Sequence, residues 1–230
     1  MAAYVNFYDV VKKESPELLK KPPNPNKHLH GFDIPFRMLV CAPSGAGKSS
    51  FVCNLLAQFC AGAGTFSKIH LITRDKAEPL YEYLEKKTQG QITITEGLSS
   101  IPRLDTFKKG DSTLLIFDDL VLSSAKAMAP VEELFIRGRK LGVSICFLTQ
   151  SFFRTSKVIR INCSYVIILK LSGARDARLL LSEYALGVSA PELMELYEYA
   201  TREKMSPFII DIGAPIEQRF RKGFGEFLTV

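Results

Sequence analysis

From Phe36 onward, short β-rich apolar runs alternate with longer segments whose apolar residues recur at helical spacing: RMLVCA, SFVCNLLAQFC, KIHLIT, PLYEYLEKK, QITIT and STLLIFDD. After the acidic pair the alternation resumes with VEELFIRGRKL, VSICFLTQ, YVIILKL, a helical stretch around ARLLLSEYAL, another around PELMELYEYA, and a last strand FIIDI. Alternation of this kind predicts an α/β fold, a mostly parallel central sheet with helices on both faces. Within VEELFIRGRKL, Val131, Leu134, Phe135 and Leu141 share one face. Pro130 suits a first helical position, Glu132 and Glu133 the positive end, and Arg137, Arg139 and Lys140 the negative end before Gly142. Arg137 and Arg139 emerge on opposite flanks of the apolar face.

Ahead of this region the chain is different. Residues 22–30 (PPNPNKHLH) carry three prolines and predict an extended connection, preceded by a short arm whose apolar positions Tyr4, Val5, Phe7, Tyr8, Val10 and Val11 form a packing strip. The expected organisation is an arm and connection over residues 1–31 and one folded domain over 32–230. With 230 residues, 47% of them hydrophobic, the chain can bury one sizeable core.

The segment Pro43, Ser44, Gly45, Ala46, Gly47, Lys48, Ser49, Ser50, entered from a strand through Ala42 and leading into a helix, has the pattern of a phosphate-binding loop with alanine at the usual first glycine. Gly45 and Gly47 permit turns whose amides face phosphate oxygens, Lys48 supplies a cation, and Ser49 is a magnesium ligand. Downstream, the apolar run Leu114 to Phe117 delivers Asp118 and Asp119 at the carboxyl end of a buried strand, where open α/β sheets bind ligands. Asp118 is expected to hold the magnesium and Asp119 to orient or deprotonate the attacking water. Two strands fall between loop and acidic pair, so the two motif-bearing strands are expected to be separated in the sheet by another. That insertion and the second acid favour an ATPase over a small-molecule kinase. Gln150, ending the next strand, is a polar candidate for contacting the γ-phosphate or the water.

Taken together, APSGAGKSS, LLIFDDL and RGRKLGVSICFLTQSFFRTSKVIRINCSYVIILKLSGARDARLL resemble the FtsK/HerA superfamily, and within it the genome-packaging ATPases of poxviruses, other large DNA viruses, virophages and Polinton-type elements. The likeness runs over roughly residues 32–223. It implies a RecA-like P-loop core of the additional-strand type, with ATP and Mg2+ bound. It further implies a homo-oligomeric ring, pentamer or hexamer, that moves double-stranded DNA into a capsid, with a capsid protein as docking partner. Arg139 matches the family's arginine finger, which acts on a neighbouring subunit's site, with Arg137 as the substitute, and Gln150 matches its polar sensor. Asp119 departs from the commoner glutamate, shortening the reach of the base by one methylene.

A formal net charge of +6 and a pI of about 9.0 suit a polyanionic partner without requiring one. A translocating motor grips phosphates rather than bases, and the candidate basic patches are Arg154, Lys157 and Arg160; Arg103, Lys108 and Lys109; and Arg219, Arg221 and Lys222. The five cysteines lack CxxC spacing and read as small buried hydrophobes. Without an apolar run of membrane-spanning length or a leader-like start, the expectation is a soluble protein of the virion or host-cell cytoplasm with no direct membrane insertion. Other readings of the same motifs are a helicase or transfer pump of the superfamily, a nucleotide-dependent interaction switch, and a nucleoside kinase.

Overall fold

The computed structural model describes residues 5–88, 90–108, 110–120 and 124–229. Strand β1 (Arg37–Cys41) follows two short N-terminal helices, α1 (Phe7–Glu14) and α2 (Lys27–His30), and runs through the phosphate loop into α3 (Lys48–Phe59). Then come β2 (Lys68–Thr73), α4 (Pro79–Thr88), β3 (Ile92–Glu96), β4 (Thr113–Asp118) and α5 (Ala125–Arg137). The chain continues through β5 (Val143–Thr149), α6 (Lys157–Ile161), β6 (Tyr165–Ile168), α7 (Ala174–Glu183) and α8 (Ala190–Ala200). It ends with β7 (Phe208–Asp211), α9 (Ile216–Arg219), β8 (Phe220–Lys222) and β9 (Glu226–Leu228).

The nine strands form one sheet in the order β3-β2-β4-β5-β1-β6-β7-β8-β9, parallel through β6 and antiparallel beyond it. Strands β4 and β5 are buried along their whole length, which explains why they read as continuous apolar runs without alternation. One apolar cluster packs α5, α7 and α8 on one face, and the other packs α3 and α4 on the opposite face. The expected separation of the two motif-bearing strands holds: β5 lies between β1 and β4, pairing Cys41 with Thr149 on one side and Asp118 with Leu148 on the other. Strands β8 and β9 were not anticipated, because three-residue strands are too short to show a period.

Two local expectations are corrected. Helix α5 does not start at Pro130 but is capped by Ser124, whose hydroxyl accepts from the Ala127 amide at 3.3 Å. Pro130 sits exposed within the helix, where its missing N–H costs one bond while Met128, Val131, Leu134 and Phe135 keep a continuous buried face. The proline-rich connection is extended only as far as its prolines. Asn26 is buried, donating to the carbonyls of Phe59 at 3.1 Å and Ala61 at 2.8 Å, and His30 packs edge-on against Phe59 at 4.7 Å. In the arm, no residue of α1 is buried, and Phe7 and Tyr8 are both exposed.

Between α5 and β5, a 3-10 turn over Gly138–Leu141 carries Arg139 and ends at Gly142, whose φ of 77° is left-handed. A β-carbon at Gly142 would overlap the carbonyl oxygen of Asp111, a backbone atom that cannot move without disturbing β4. Gly142→Ala is therefore expected to destabilise the fold by about 2–3 kcal/mol, combining left-handed strain with the displaced backbone. Urea unfolding with unchanged m-value is the check, and a midpoint equal to the parent's contradicts the account.

Candidate nucleotide site

The carboxyl ends of β1, β2, β4 and β5 share one edge of the sheet, and a cleft of about 760 Å³ opens there. Its walls include Ser44, Gly45, Gly47, Lys48, Ser49 and Ser50, with Asp118, Asp119 and Gln150 opposite. Pro43 and Ala46 shape the loop from behind, the Ala46 amide closing a turn on the Pro43 carbonyl at 3.3 Å. Gly47, at φ 99°, caps α3, whose first amides have no intrahelical acceptor and so face the cleft as anion donors. The Lys48 ammonium turns back to the carbonyls of Ala42 at 3.2 Å and Pro43 at 3.5 Å.

Asp118 is 6% exposed, and burial pushes its carboxyl above the ordinary carboxylate range, opposed by the Tyr81 hydrogen bond and the Lys48 charge. Its Oδ2 accepts from the Tyr81 hydroxyl at 2.7 Å, while Oδ1 is buried with no protein partner. A buried carboxylate oxygen lacking a donor fits a hard divalent cation, which makes Ser49 and Asp118 suitable magnesium ligands. Asp119 adopts φ 56°, a left-handed conformation that a short polar side chain tolerates. That reversal at the strand end leaves its Oδ1 accepting from Gln150 Nε2 at 3.2 Å, so the two residues proposed to handle water meet across β4 and β5.

Arg139 is exposed at the opposite edge of the sheet, near Arg37, the first residue of β1, whose pKa is lowered by burial and then by the Arg139 charge. A seven-residue strand, β5, lies between it and Gln150, and such a strand spans roughly 20 Å, beyond the reach of any side chain. Arg139 therefore cannot enter its own chain's cleft. Arg137 is occupied with Glu133 at 2.7 Å. A groove of about 1130 Å³ does open on Arg139's side, between residues 17–23 and the body, but it contains no phosphate-binding loop.

The sequence reading missed Tyr81, Arg74 and Met205. Arg74, with Lys48, supplies the positive charge lining the cleft, and Met205, at φ 65°, packs over Gly47 so closely that a β-carbon there would lie 2.7 Å from its Cγ. Only spatial proximity identifies them, since none belongs to a local motif.

The basic patches fare unequally. Arg154, on the turn following Gln150, and Lys157, at the start of α6, are exposed. Arg160 differs from them: its guanidinium pairs with Glu183 and lies 4.8 Å over the Phe152 ring, so its charge ties α6 to α7. Arg221 is buried, 4.9 Å over Phe32, Lys222 pairs with Glu203 at 2.8 Å, and Arg219 donates to the carbonyls of Ala214 and Leu186. Arg103 pairs with Asp105 at 3.2 Å, and Lys108 is exposed; Lys109 lies outside the described residues. Among the described residues no helix is long and apolar enough to cross a membrane.

A parallel sheet with an extra strand between the phosphate-loop strand and the acidic strand, carrying Lys48, Ser49, Asp118, Asp119 and Gln150 at one edge, defines an additional-strand P-loop ATPase. The family described as Poxvirus A32 protein matches residues 30–211, and the chain belongs to it, a viral genome-packaging ATPase. Among solved structures, the genome packaging NTPase B204 of Sulfolobus turreted icosahedral virus 2, in complex with ATP-gammaS, is 13% identical with a TM-score of 0.58, covering 85% of this chain and 100% of its own. The cytoplasmic domain of the Thermomonospora curvata type VII secretion ATPase EccC is 14% identical with a TM-score of 0.56, covering 84% of this chain and 25% of its own. The pCW3 conjugation coupling protein TcpA is 12% identical with a TM-score of 0.51, covering 83% and 60% respectively. No curated protein matches the chain.

Proposed function

We propose that copies of this chain assemble into a ring, each hydrolysing Mg2+-ATP in the cleft at the end of β1, β4 and β5 with an arginine from its neighbour, and that the ring drives double-stranded viral DNA into a capsid. The observation that carries the in-trans part is the placement of Arg139: the cleft holds loop, acids and sensor at one sheet edge, while the candidate finger stands at the other. Two copies stacked edge to edge complete a site that one copy leaves without it.

In this reading the α3 amides, with the residues from Ser44 to Ser50, hold the phosphates, and Lys48 leaves the Ala42 and Pro43 carbonyls to meet them. Bound magnesium neutralises charge on the phosphate oxygens, held by Ser49 and Asp118. Asp119 accepts a proton from the attacking water, and Gln150, already its partner, positions that water. Arg139 of the adjacent copy stabilises charge on the transferring group. Arg154, on the turn leaving the cleft, and Lys157, three residues on at the start of α6, meet DNA phosphates without reading sequence. A capsid protein docks the ring, and the work is done at the virus assembly site in the host cytoplasm or in the virion.

The test is steady-state ATP hydrolysis with and without double-stranded DNA across salt concentration, beside Asp119→Asn. Expected is stimulation by DNA of any sequence that weakens steeply as salt rises from about 50 to about 200 mM and is absent in Asp119→Asn. Hydrolysis indifferent to DNA at the lowest salt contradicts direct gripping by this chain and favours an interaction switch.

A further inference from the structure

Tyr81 faces inward from the first turn of α4 and is fully buried, one of two buried residues on that helix. Phenylalanine would fill the same apolar volume, so the hydroxyl needs a reason to be there: a buried phenol O–H costs free energy unless it finds a partner. Its partner is the Oδ2 of Asp118 at 2.7 Å. A hydroxyl on α4 thus touches a residue assigned to the metal, at the end of β4.

The consequence concerns orientation. The carboxylate torsion of aspartate is intrinsically broad, so Asp118 alone does not decide which oxygen it offers to the cleft. A hydrogen bond to Oδ2 restrains that torsion and leaves Oδ1, buried and without a protein partner, as the oxygen presented to a cation. Resting on the proposed nucleotide site, we infer that Tyr81 is the positioning residue of its magnesium shell: its hydroxyl holds the Asp118 carboxylate in the arrangement that receives the ion. Groups of this kind typically change metal affinity by about 10- to 100-fold when removed.

The experiment measures binding of a fluorescent ATPγS analogue to the full chain, by anisotropy, in EDTA and across a magnesium titration, for wild type and Tyr81→Phe. Expected for Tyr81→Phe is a magnesium midpoint raised about 10- to 100-fold with affinity in EDTA unchanged, and a matching weakening of Mn2+ binding read by electron paramagnetic resonance. Placing 4-aminophenylalanine at position 81, which returns a donor to the ring's para position, is expected to recover most of the midpoint. An unchanged midpoint in Tyr81→Phe overturns the inference, and so does an equal loss of affinity with and without magnesium, the signature of a merely structural role. Should Tyr81→Phe fail to fold, 4-aminophenylalanine is compared with 4-methylphenylalanine, similar in size but without a donor, and equal midpoints overturn it. A wild-type chain that binds the analogue neither in EDTA nor in magnesium removes the nucleotide-site reading itself, and one that binds it identically in both keeps that reading and overturns this inference.

Discussion

Lys48→Ala is expected to lower kcat/KM for ATP by about 10³-fold while leaving the fold intact. The reason lies in where the ammonium sits. Among the described residues it reaches only the carbonyls of Ala42 and Pro43, both belonging to its own loop, so removing it opens no cavity in either apolar cluster. What it removes is the cation placed among the α3 amides, where phosphate charge accumulates most on the way to the transition state. The checks are turnover measured beside thermal unfolding of the nucleotide-free protein. Retention of full turnover would show that the phosphates bind elsewhere.

Arg139→Ala is expected to bind nucleotide as the parent does and to lose turnover by about 10³-fold, the lower range for an arginine finger supplied in trans. Because Arg139 stands a strand's length from its own cleft, the loss should be complemented between subunits. Arg139→Ala retains an intact cleft and lacks the finger; Asp119→Asn has the finger and a disabled cleft. Each alone is inactive, and mixing them creates interfaces where Asp119→Asn subunits offer Arg139 to intact sites, so activity should appear on mixing. Inactive mixtures of properly assembled rings would argue for action within one subunit, and Arg74, which lines the cleft of its own chain, would be the residue to test next. Arg137 is the weaker substitute, since Glu133 already engages it.

The nucleotide-binding half of the site was readable along the chain because its chemistry is local. A strand, a turn requiring left-handed backbone at Gly45 and Gly47, and the start of α3 are contiguous, and the amides proposed to bind phosphate are set by that turn alone. Asp118 and Asp119 were readable for a similar reason: a buried strand has to end in the polar groups it presents at its carboxyl edge. By contrast, the start of α5 was misplaced, since a proline tolerated inside a helix looks the same in sequence as one that begins it, and packing of Met128 against the core decided between them.

The sequence by itself determined the α/β alternation, the phosphate loop and the acidic pair, each a feature of residues adjacent along the backbone. Only the tertiary structure decided that β5 enters between β1 and β4, which brings Gln150 to Asp119 and carries Arg139 to the far edge. It also decided which cations are free. Arg154, Lys157 and Arg160 look alike in sequence, yet among the described residues only Arg160 meets an acid, Glu183, from a helix later in the chain. Tyr81 became visible for the same physical reason: a side chain's charge or hydroxyl is spent or available according to neighbours distant along the chain, and sheet order, not local pattern, chooses those neighbours.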